Sequence, residues 1–374
     1  MLLMGTSSPY KVLGGAKAIM RLAPVLEDFA ARCGQPAGMH WLGHFLFGQD
    51  TRRKRFTMIL GIQPEAEQFP AEQLQAQNLS FAVLFAEYAV LGVGTGIYVS
   101  PDASGLRSVI APADDRAYAA MVALRVLMSR RVAVATTSFV GATRSLPARR
   151  PEAETHYKLA QRILPTTTHL PLRETYEETL AGMSKSLRFN LGYYRRRLQR
   201  DLPYEFVADA REAVNESELA GLNSGSLNPI SQDEFRRRWV SSCKLRGGFL
   251  MGIRTLDGKW LSLLGGWRGG STTVMHWQMN TAGFEKSSLV TVMRSHFIEH
   301  EIELAAERIV FYGGTPHNLN HAFVEEDVSE VIVRRRSLRA WLMQLSPASA
   351  KWRKYMGGTN TLGELLRNDE LLWR

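Results

Sequence analysis

Three stretches carry residues whose types and spacing could do chemistry. In HFIEH, His296, Glu299 and His300 fall at helical spacing and match the H-x-x-E-H pattern of the inverted zinc peptidases. Such a trio could ligate zinc. His300, however, falls within the apolar stripe of Met293 and Leu304, His296 borders it, and no further ligand is identifiable, so the expectation is histidines at a core edge and no metal. In GVGTG, Gly92, Gly94 and Gly96 lack the spacing of G-x-G-x-x-G, and the following IYVSPD cannot start a helix; a strand-connecting turn is expected. The third stretch, NTAGFEKSSLV from Asn280 to Val290, joins a strand pattern to a helix pattern. Free backbone N–H groups and the positive helix end converge there, where a phosphate could be held. Lys286, Ser287 and Ser288 add a cation and two hydroxyls. An ordinary serine-capped helix start accounts for the same residues equally well. Neither G-x-x-x-x-G-K-[ST] nor G-x-S-x-G occurs, which gives no support to a P-loop or a hydrolase elbow.

The largest positioning element is the stretch from Glu174 to Arg200. Tyr176, Leu180, Met183, Leu187, Leu191, Tyr194 and Leu198 recur at steps of 4, 3, 4, 4, 3 and 4, which predicts one amphipathic helix of about seven turns. Glu174, Glu177 and Glu178 lie at its start and Arg195, Arg196, Arg197 and Arg200 at its end, the order that suits the helix dipole. The arginines are either a solvated face or a site for a polyanionic ligand. The helix is read as the structural link between two domains.

Length and composition set the frame. A chain of 374 residues is too long for a typical single core, so two domains are expected. Hydrophobic residues make up 45% and charged residues 22%, as in a soluble globular protein. The net charge of +10 favours anionic partners such as a CoA-type cofactor, tRNA, or an anionic lipid or glycan. Cys33 and Cys243 are too few and too far apart for a disulfide framework or a cysteine-rich metal site. A reducing, cytoplasmic setting is therefore expected, with no signal peptide and no membrane span.

The first half reads as strands (Phe56 to Ile62, Phe81 to Leu91, Gly96 to Ser100), a helix from Asp114 to Arg130, and a strand from Arg131 to Val140. A helix over Leu22 to Arg32 and an aromatic patch from His40 to Phe47 precede them. The Pro- and Arg-rich piece Leu146 to Glu154 marks a boundary. The second half offers a strand at Pro203 to Ala208 and helices at Arg211 to Leu222 and Gln232 to Leu245. An antiparallel meander from Gly248, turning at Asp257-Gly258 and Gly269-Gly270, precedes a helix from Glu285 to Glu307 and the short strand Arg308 to Tyr312. The expected fold class is α/β with a mixed sheet, in two similar domains: 1–150, then 151–200 as linker and basic helix, then 201–374.

The meander, the helix with its N-terminal turn and the following RIVFYGG resemble the GCN5-related N-acetyltransferase (GNAT) superfamily. More narrowly, LPLRETYEETLAGMSKSLRFNLGYYRRRLQRD, HWQMN, FEKSS and FYGGTPH follow the order seen in the BioF2-like or CelD-type branch, related to the Fem peptidyltransferases. The resemblance covers roughly residues 55 to 345, and its specificity lies in the order of the motifs. It implies tandem GNAT-like domains and an acyl-CoA pyrophosphate held by the turn of Phe284, Lys286, Ser287 and Ser288. FEKSS stands where the superfamily carries Q/R-x-x-G-x-G/A. His276 and Tyr312 are the candidate proton-transfer residues, with packed strand residues as the alternative. Arg195, Arg196 and Arg197 are the candidate ligands for an anionic substrate.

The implied activity is transfer of an acetyl or other acyl group from acyl-CoA, without a metal, to an amine or hydroxyl. The acceptor would be a small molecule or glycan: a sugar, polysaccharide or envelope precursor. The alternatives are a Fem-like peptidyltransferase using aminoacyl-tRNA and a non-catalytic relative that binds an anionic polymer.

Overall fold

Segments rich in Val, Ile, Phe and Trp form strands, and segments with 3.6-residue periodicity form the helices between them. The computed structural model describes residues 9–47, 54–90, 93–101, 107–130, 132–141, 157–226, 229–312, 319 and 322–335. The N-terminal half comprises β1 (Tyr10–Gly14), α1 (Ala16–Arg21), α2 (Ala23–Arg32), α3 (Met39–Phe47), β2 (Lys54–Ile62), β3 (Leu79–Val90), β4 (Val93–Val99), β5 (Val109–Ile110), α4 (Arg116–Ser129) and β6 (Val134–Val140). The chain crosses through β7 (Tyr157–Pro171), α5 (Tyr176–Ala181) and α6 (Lys185–Asp201). The C-terminal half comprises β8 (Tyr204–Val207), α7 (Glu216–Ser224), α8 (Gln232–Cys243), β9 (Gly248–Thr255), β10 (Trp260–Gly269), β11 (Thr272–Asn280), α9 (Leu289–Glu303), β12 (Arg308–Phe311) and β13 (Val324–Arg335).

All these strands join one mixed sheet in the order β1-β2-β3-β4-β6-β13-β7-β12-β11-β10-β9-β8, with β5 beside β3. The tandem architecture expected from the sequence is present. In the first half β2, β3 and β4 are antiparallel neighbours, α4 crosses back, and β6 runs parallel to β4. In the second, β9, β10 and β11 form the meander, α9 crosses back, and β12 runs parallel to β11. Helices α5 and α6 carry the chain from one half to the other, while hydrogen-bonded continuity comes from β7 and β13.

Strand alternation distributes the cores. Met58, Leu60, Ala82 and Leu84 face α1–α3, whereas Ile59, Phe81, Val83 and Phe85 face α4. In the C-terminal half Met251, Ile253 and Met275 face α6 and α9, and Leu250, Leu263 and Trp277 lie with α7 and α8. The α1–α3 cluster extends across the halves onto Trp267, Val274, Val310 and Tyr312.

Two expectations change. The seven-turn helix is two helices, because Gly182 is a poor helix former and Ser184 caps α6 by accepting from the Leu187 N–H at 3.3 Å. Thr175 and Glu178 form a capping box on α5. The apolar stripe nevertheless buries Met183, Leu187, Leu191 and Leu198 against Val292, Met293 and Phe297 of α9. The segment read as linker contains the fifteen-residue β7. Its Pro165 lies where β7 pairs only with β13, because β12 reaches only Leu170 and Pro171, so the missing N–H breaks no ladder on the other side. Its partner β13 was not foreseen.

The C-terminal end of α9 is tied to the meander by a buried carboxylate. Glu301 is 0% exposed, accepts from Arg268 at 2.6 Å and also accepts from the Thr273 hydroxyl. Arg268 stacks over the Phe249 ring at 4.5 Å. Glu301→Ala should lower stability in urea unfolding by about 3 kcal/mol, since it leaves a guanidinium half-buried without its partner. A loss under about 0.5 kcal/mol would show the pair to be dispensable.

Candidate functional site

The site begins with an irregularity in β11. Trp277 pairs with Gly265 and Met275 with Gly266, so His276 is the extra residue of a β-bulge, outside the β10 ladder. The two glycines permit it. A Cβ on Gly266 would come 1.9 Å from the Val274 carbonyl oxygen, and one on Gly265 would strike the Trp277 ring at 2.5 Å. On the other edge, β11 and β12 pair only as far as Met275 and Phe311, and the Tyr312 N–H closes the ladder on the Met275 carbonyl at 2.8 Å. Beyond that bond β11 runs on to Asn280 without β12 beside it, so the strands part at His276.

The fold brings His276 and Tyr312 together, with ring centroids 5.2 Å apart and edge to face. Trp267 lies 5.5 Å from His276 and 5.9 Å from Tyr312. From α3, His44 approaches His276 at 5.4 Å and Tyr312 at 4.6 Å. His40 stacks on Trp267 at 5.4 Å. The His40 Nε2–H donates to the Arg246 carbonyl at 2.8 Å, which leaves Nδ1 to accept from the Ser241 hydroxyl at 3.0 Å. This bond pair pins α3 of the first half to α8 and the loop after it.

A cavity of about 1000 Å³ opens at this cluster. Its walls come from both halves: α3, the β3 and β4 residues Ala86, Tyr88 and Val99, and α8, with His276 in the lining. Helix α8 contributes Arg236, Arg237 and Arg238. Burial alone would raise the Glu234 carboxyl, but hydrogen bonds from Arg237 and Arg238, each at 2.9 Å, hold it below the usual range.

Burial dominates the titration of the cluster. It lowers His276 to about 3, with His44 and Arg238 adding to the effect, and lowers His44 to about 4 against the pull of Glu234. Burial, and then Glu234, raises the Tyr312 phenol. The His276 Nδ1 is buried and has no hydrogen-bond partner among the described residues. A neutral imidazole with an open nitrogen can accept a proton, and a protonated phenol beside it can donate one.

The turn expected to hold a phosphate lies farther along. Asn280 lies four strand steps beyond His276, a span of about 13 Å at ~3.3 Å each. Glu285–Ser287 form a short 3₁₀ turn, in which the Ser287 N–H donates to the Phe284 carbonyl at 3.0 Å. Ser288 takes a left-handed conformation (φ 48°) and shares a hydrogen bond with Thr291 at 2.7 Å. Lys286 is exposed, and Phe284 packs at the edge of the α6–α9 core. The Leu289 and Val290 N–H groups, in the first turn of α9, lack intrahelical acceptors.

Arg195, Arg196 and Arg197 are not brought to the cavity. They lie on α6, over the opposite sheet face, where Arg195 donates to Glu299 at 2.7 Å and Arg197 pairs with Asp201 at 3.5 Å; Arg196 is exposed. HFIEH is likewise engaged. His296 meets the Tyr204 hydroxyl at 2.9 Å and stacks on Phe206, and His300 pairs with Glu303 at 3.3 Å. Among the described residues no group of three or more metal-capable side chains gathers. Gly92 lies outside the described residues; Gly94 and Gly96 belong to β4, and the Gly96 N–H donates to Glu87 at 2.9 Å. Sequence reasoning noticed the patch from His40 to Phe47 without a role for it, and read α8 only as a helix. The signal available was three consecutive arginines directly after Glu234 and Phe235.

Against solved structures, the chain is similar to L-PGS from Bacillus licheniformis, at 12% identity over 90% of this chain and 96% of that one, with a TM-score of 0.50. FemX matches at 9% identity over 85% and 96%, TM-score 0.49. A tandem GNAT protein from the clavulanic acid biosynthesis pathway matches at 11% over 88% and 99%, TM-score 0.39. No protein-family model and no curated protein sequence matches the chain. The fold is a mixed α/β architecture with a doubled arrangement of meander, crossover helix and parallel strand, similar to the fold of L-PGS. No helix among the described residues is long and apolar enough to cross a membrane.

The depressed histidines make stability depend on pH. Above about pH 6.5, folded and unfolded chains both hold His44 and His276 neutral. Between there and about pH 4 the unfolded chain takes up protons that the folded one refuses, so stability falls with pH, by up to ~1.4 kcal/mol per histidine per unit. Urea midpoints should be lower at about pH 5 than at about pH 7.5, with a shallower slope in a His44→Gln/His276→Gln variant. An unchanged slope would show that these histidines titrate normally.

Proposed function

We propose that the chain is an acyltransferase of the BioF2-like or CelD kind, moving an acyl group from acyl-CoA to an amine or hydroxyl acceptor held in the cavity between the halves. The observation that carries this reading is His276, placed by a bulge where β11 and β12 part and lining that cavity beside Tyr312. Lys286 and the Leu289 and Val290 amides would hold the pyrophosphate, with Ser287 at the turn. Because the Ser287 N–H and the Ser288 hydroxyl are engaged locally, they play a smaller part than the sequence implied. The acceptor is a sugar, polysaccharide or envelope precursor.

In the reaction the acceptor nitrogen or oxygen attacks the thioester carbonyl carbon, and the carbon–sulfur bond breaks. The proton lost by the acceptor passes to His276, and Tyr312 protonates the leaving thiolate. Desolvation makes His276 a weak base and Tyr312 a weak acid, so proton movement accompanies bond change rather than preceding it. The bulged peptide at His276 lies outside the β10 ladder and would polarise the thioester carbonyl in this reading. Arg195 ties α6 to α9 through Glu299 and Arg197 pairs with Asp201 within α6, so any anion contact by this trio falls to Arg196. The alternative donor, aminoacyl-tRNA, is favoured by the net charge of +10.

CoA should raise the thermal midpoint of the wild type, and Ser287→Glu should weaken CoA binding about tenfold or more; equal affinity would remove the pyrophosphate from this turn. Protection by tRNA with none by CoA would move the assignment to aminoacyl transfer. His276→Ala should lower thiol release from acyl-CoA by about 10²-fold with CoA affinity kept. A loss under twofold would dismiss His276 as the proton acceptor.

A further inference from the structure

A second cavity, of about 60 Å³, lies at the other end of β11 and β12, where both strands begin. It is built from both halves: the Gly34–Ala37 loop before α3, Trp41, Arg107, Arg116 at the start of α4, Thr168 and His169 of β7, Thr272, Arg308 and Glu326. Three guanidinium groups therefore surround one carboxylate. Two of the ionised groups are already satisfied. Arg308 donates to the Thr272 hydroxyl at 2.7 Å and to the Gly34 carbonyl, and Glu326 accepts from the Thr168 hydroxyl and pairs with His169 at 3.6 Å.

Arg107 and Arg116 are different. Neither forms a hydrogen bond or an ion pair with a described residue, and each has a buried Nε without an acceptor. Trp41, in the same lining, has a buried indole N–H in the same state. Burial pushes the Arg116 guanidinium down and Arg308 adds to this, while Glu326 opposes it. The unfilled groups are all donors. Water would bring hydrogens that themselves need acceptors, whereas an oxyanion brings acceptors alone and offsets the excess positive charge. The volume is roughly twice the ~30 Å³ share of one water, the scale of a single tetrahedral anion.

We propose that this cavity binds one small tetrahedral oxyanion, inorganic phosphate or sulfate or the terminal phosphoryl of a phosphomonoester, between Arg107 and Arg116. Because its walls come from both halves, the anion ties α2–α3 and α4 to β7 and β12 and braces α3, which carries His40 and His44 into the larger cavity. This site is independent of the acyl-transfer reading, and its test needs no substrate of that reaction.

Thermal unfolding of the full chain is compared in sodium phosphate, sodium sulfate, glycerol 3-phosphate and sodium chloride at one ionic strength. Phosphate or sulfate should raise the midpoint by about 3 °C or more over chloride, saturably, and Arg116→Gln and Arg107→Gln should each abolish the rise. Protection by glycerol 3-phosphate as well assigns a terminal phosphoryl; protection by the inorganic ions alone assigns the free anion. Isothermal titration of the wild type with phosphate, which needs no variant to fold, should give about one site per chain. Equal midpoints in phosphate, sulfate and chloride, or a rise that persists in both variants, would overturn the proposal and leave the cavity to water.

Discussion

Pairing of β7 with β13 is the constraint on which the rest of the structure depends. The two strands run antiparallel from Glu325 opposite Thr167 to Arg335 opposite Tyr157, and they stand at the middle of the sheet. With β6 on one side and β12 on the other, they fuse two meanders into one hydrogen-bonded surface. Arg162 and Glu330 face each other across this pair and form an ion pair, a cross-strand partnership that also fixes register. A one-residue slip would turn every side chain to the other face. The α1–α3 cluster would then lose its C-terminal floor of Val274 and Val310.

From that fused sheet the larger cavity follows. Helix α3 lies over strands of both halves because Trp267, Val274, Val310 and Tyr312 complete its core. The hydrogen bonds of His40 to Ser241 and Arg246 then set its distance from α8. The space between these helices is bounded by aromatic rings, imidazoles and the arginines of α8, above the place where β11 and β12 separate. Opposite demands meet there. Desolvation keeps His44 and His276 neutral, which opens a nitrogen to a reacting group, and the same desolvation weakens that nitrogen as a base.

Much of the C-terminal half was legible because its signals are local. Asp257-Gly258 marked a hairpin, and Gly258 does take φ +90°. The strand, crossover helix and strand from β11 to β12 followed from apolar runs and loop lengths. His276 and Tyr312 were singled out in sequence and meet in space, although 36 positions separate them. Less local features were not readable. The break at Gly182–Ser184 hid beneath an unbroken apolar stripe, since periodicity records which residues are buried rather than whether the backbone stays helical. Strand β7 escaped notice because threonines and Pro165 dilute its pattern, and its stability comes from a partner far away in sequence.

The sequence by itself determined the order of elements, the doubled α/β arrangement and the pairing of a strand end with a helix start at Phe284 to Ser288. Those depend on hydrophobic period, turn residues and capping, which act over a few positions. Tertiary structure alone decided that the halves share one sheet and that His40 and His44 of α3 join His276, Tyr312 and Trp267. It also turned Arg195 toward Glu299 rather than toward a ligand, and gathered Arg107, Arg116 and Arg308 around one small cavity. These outcomes rest on contacts between residues tens to hundreds of positions apart. Such contacts depend on strand register and on which helix covers which face, and neither is written in any local pattern.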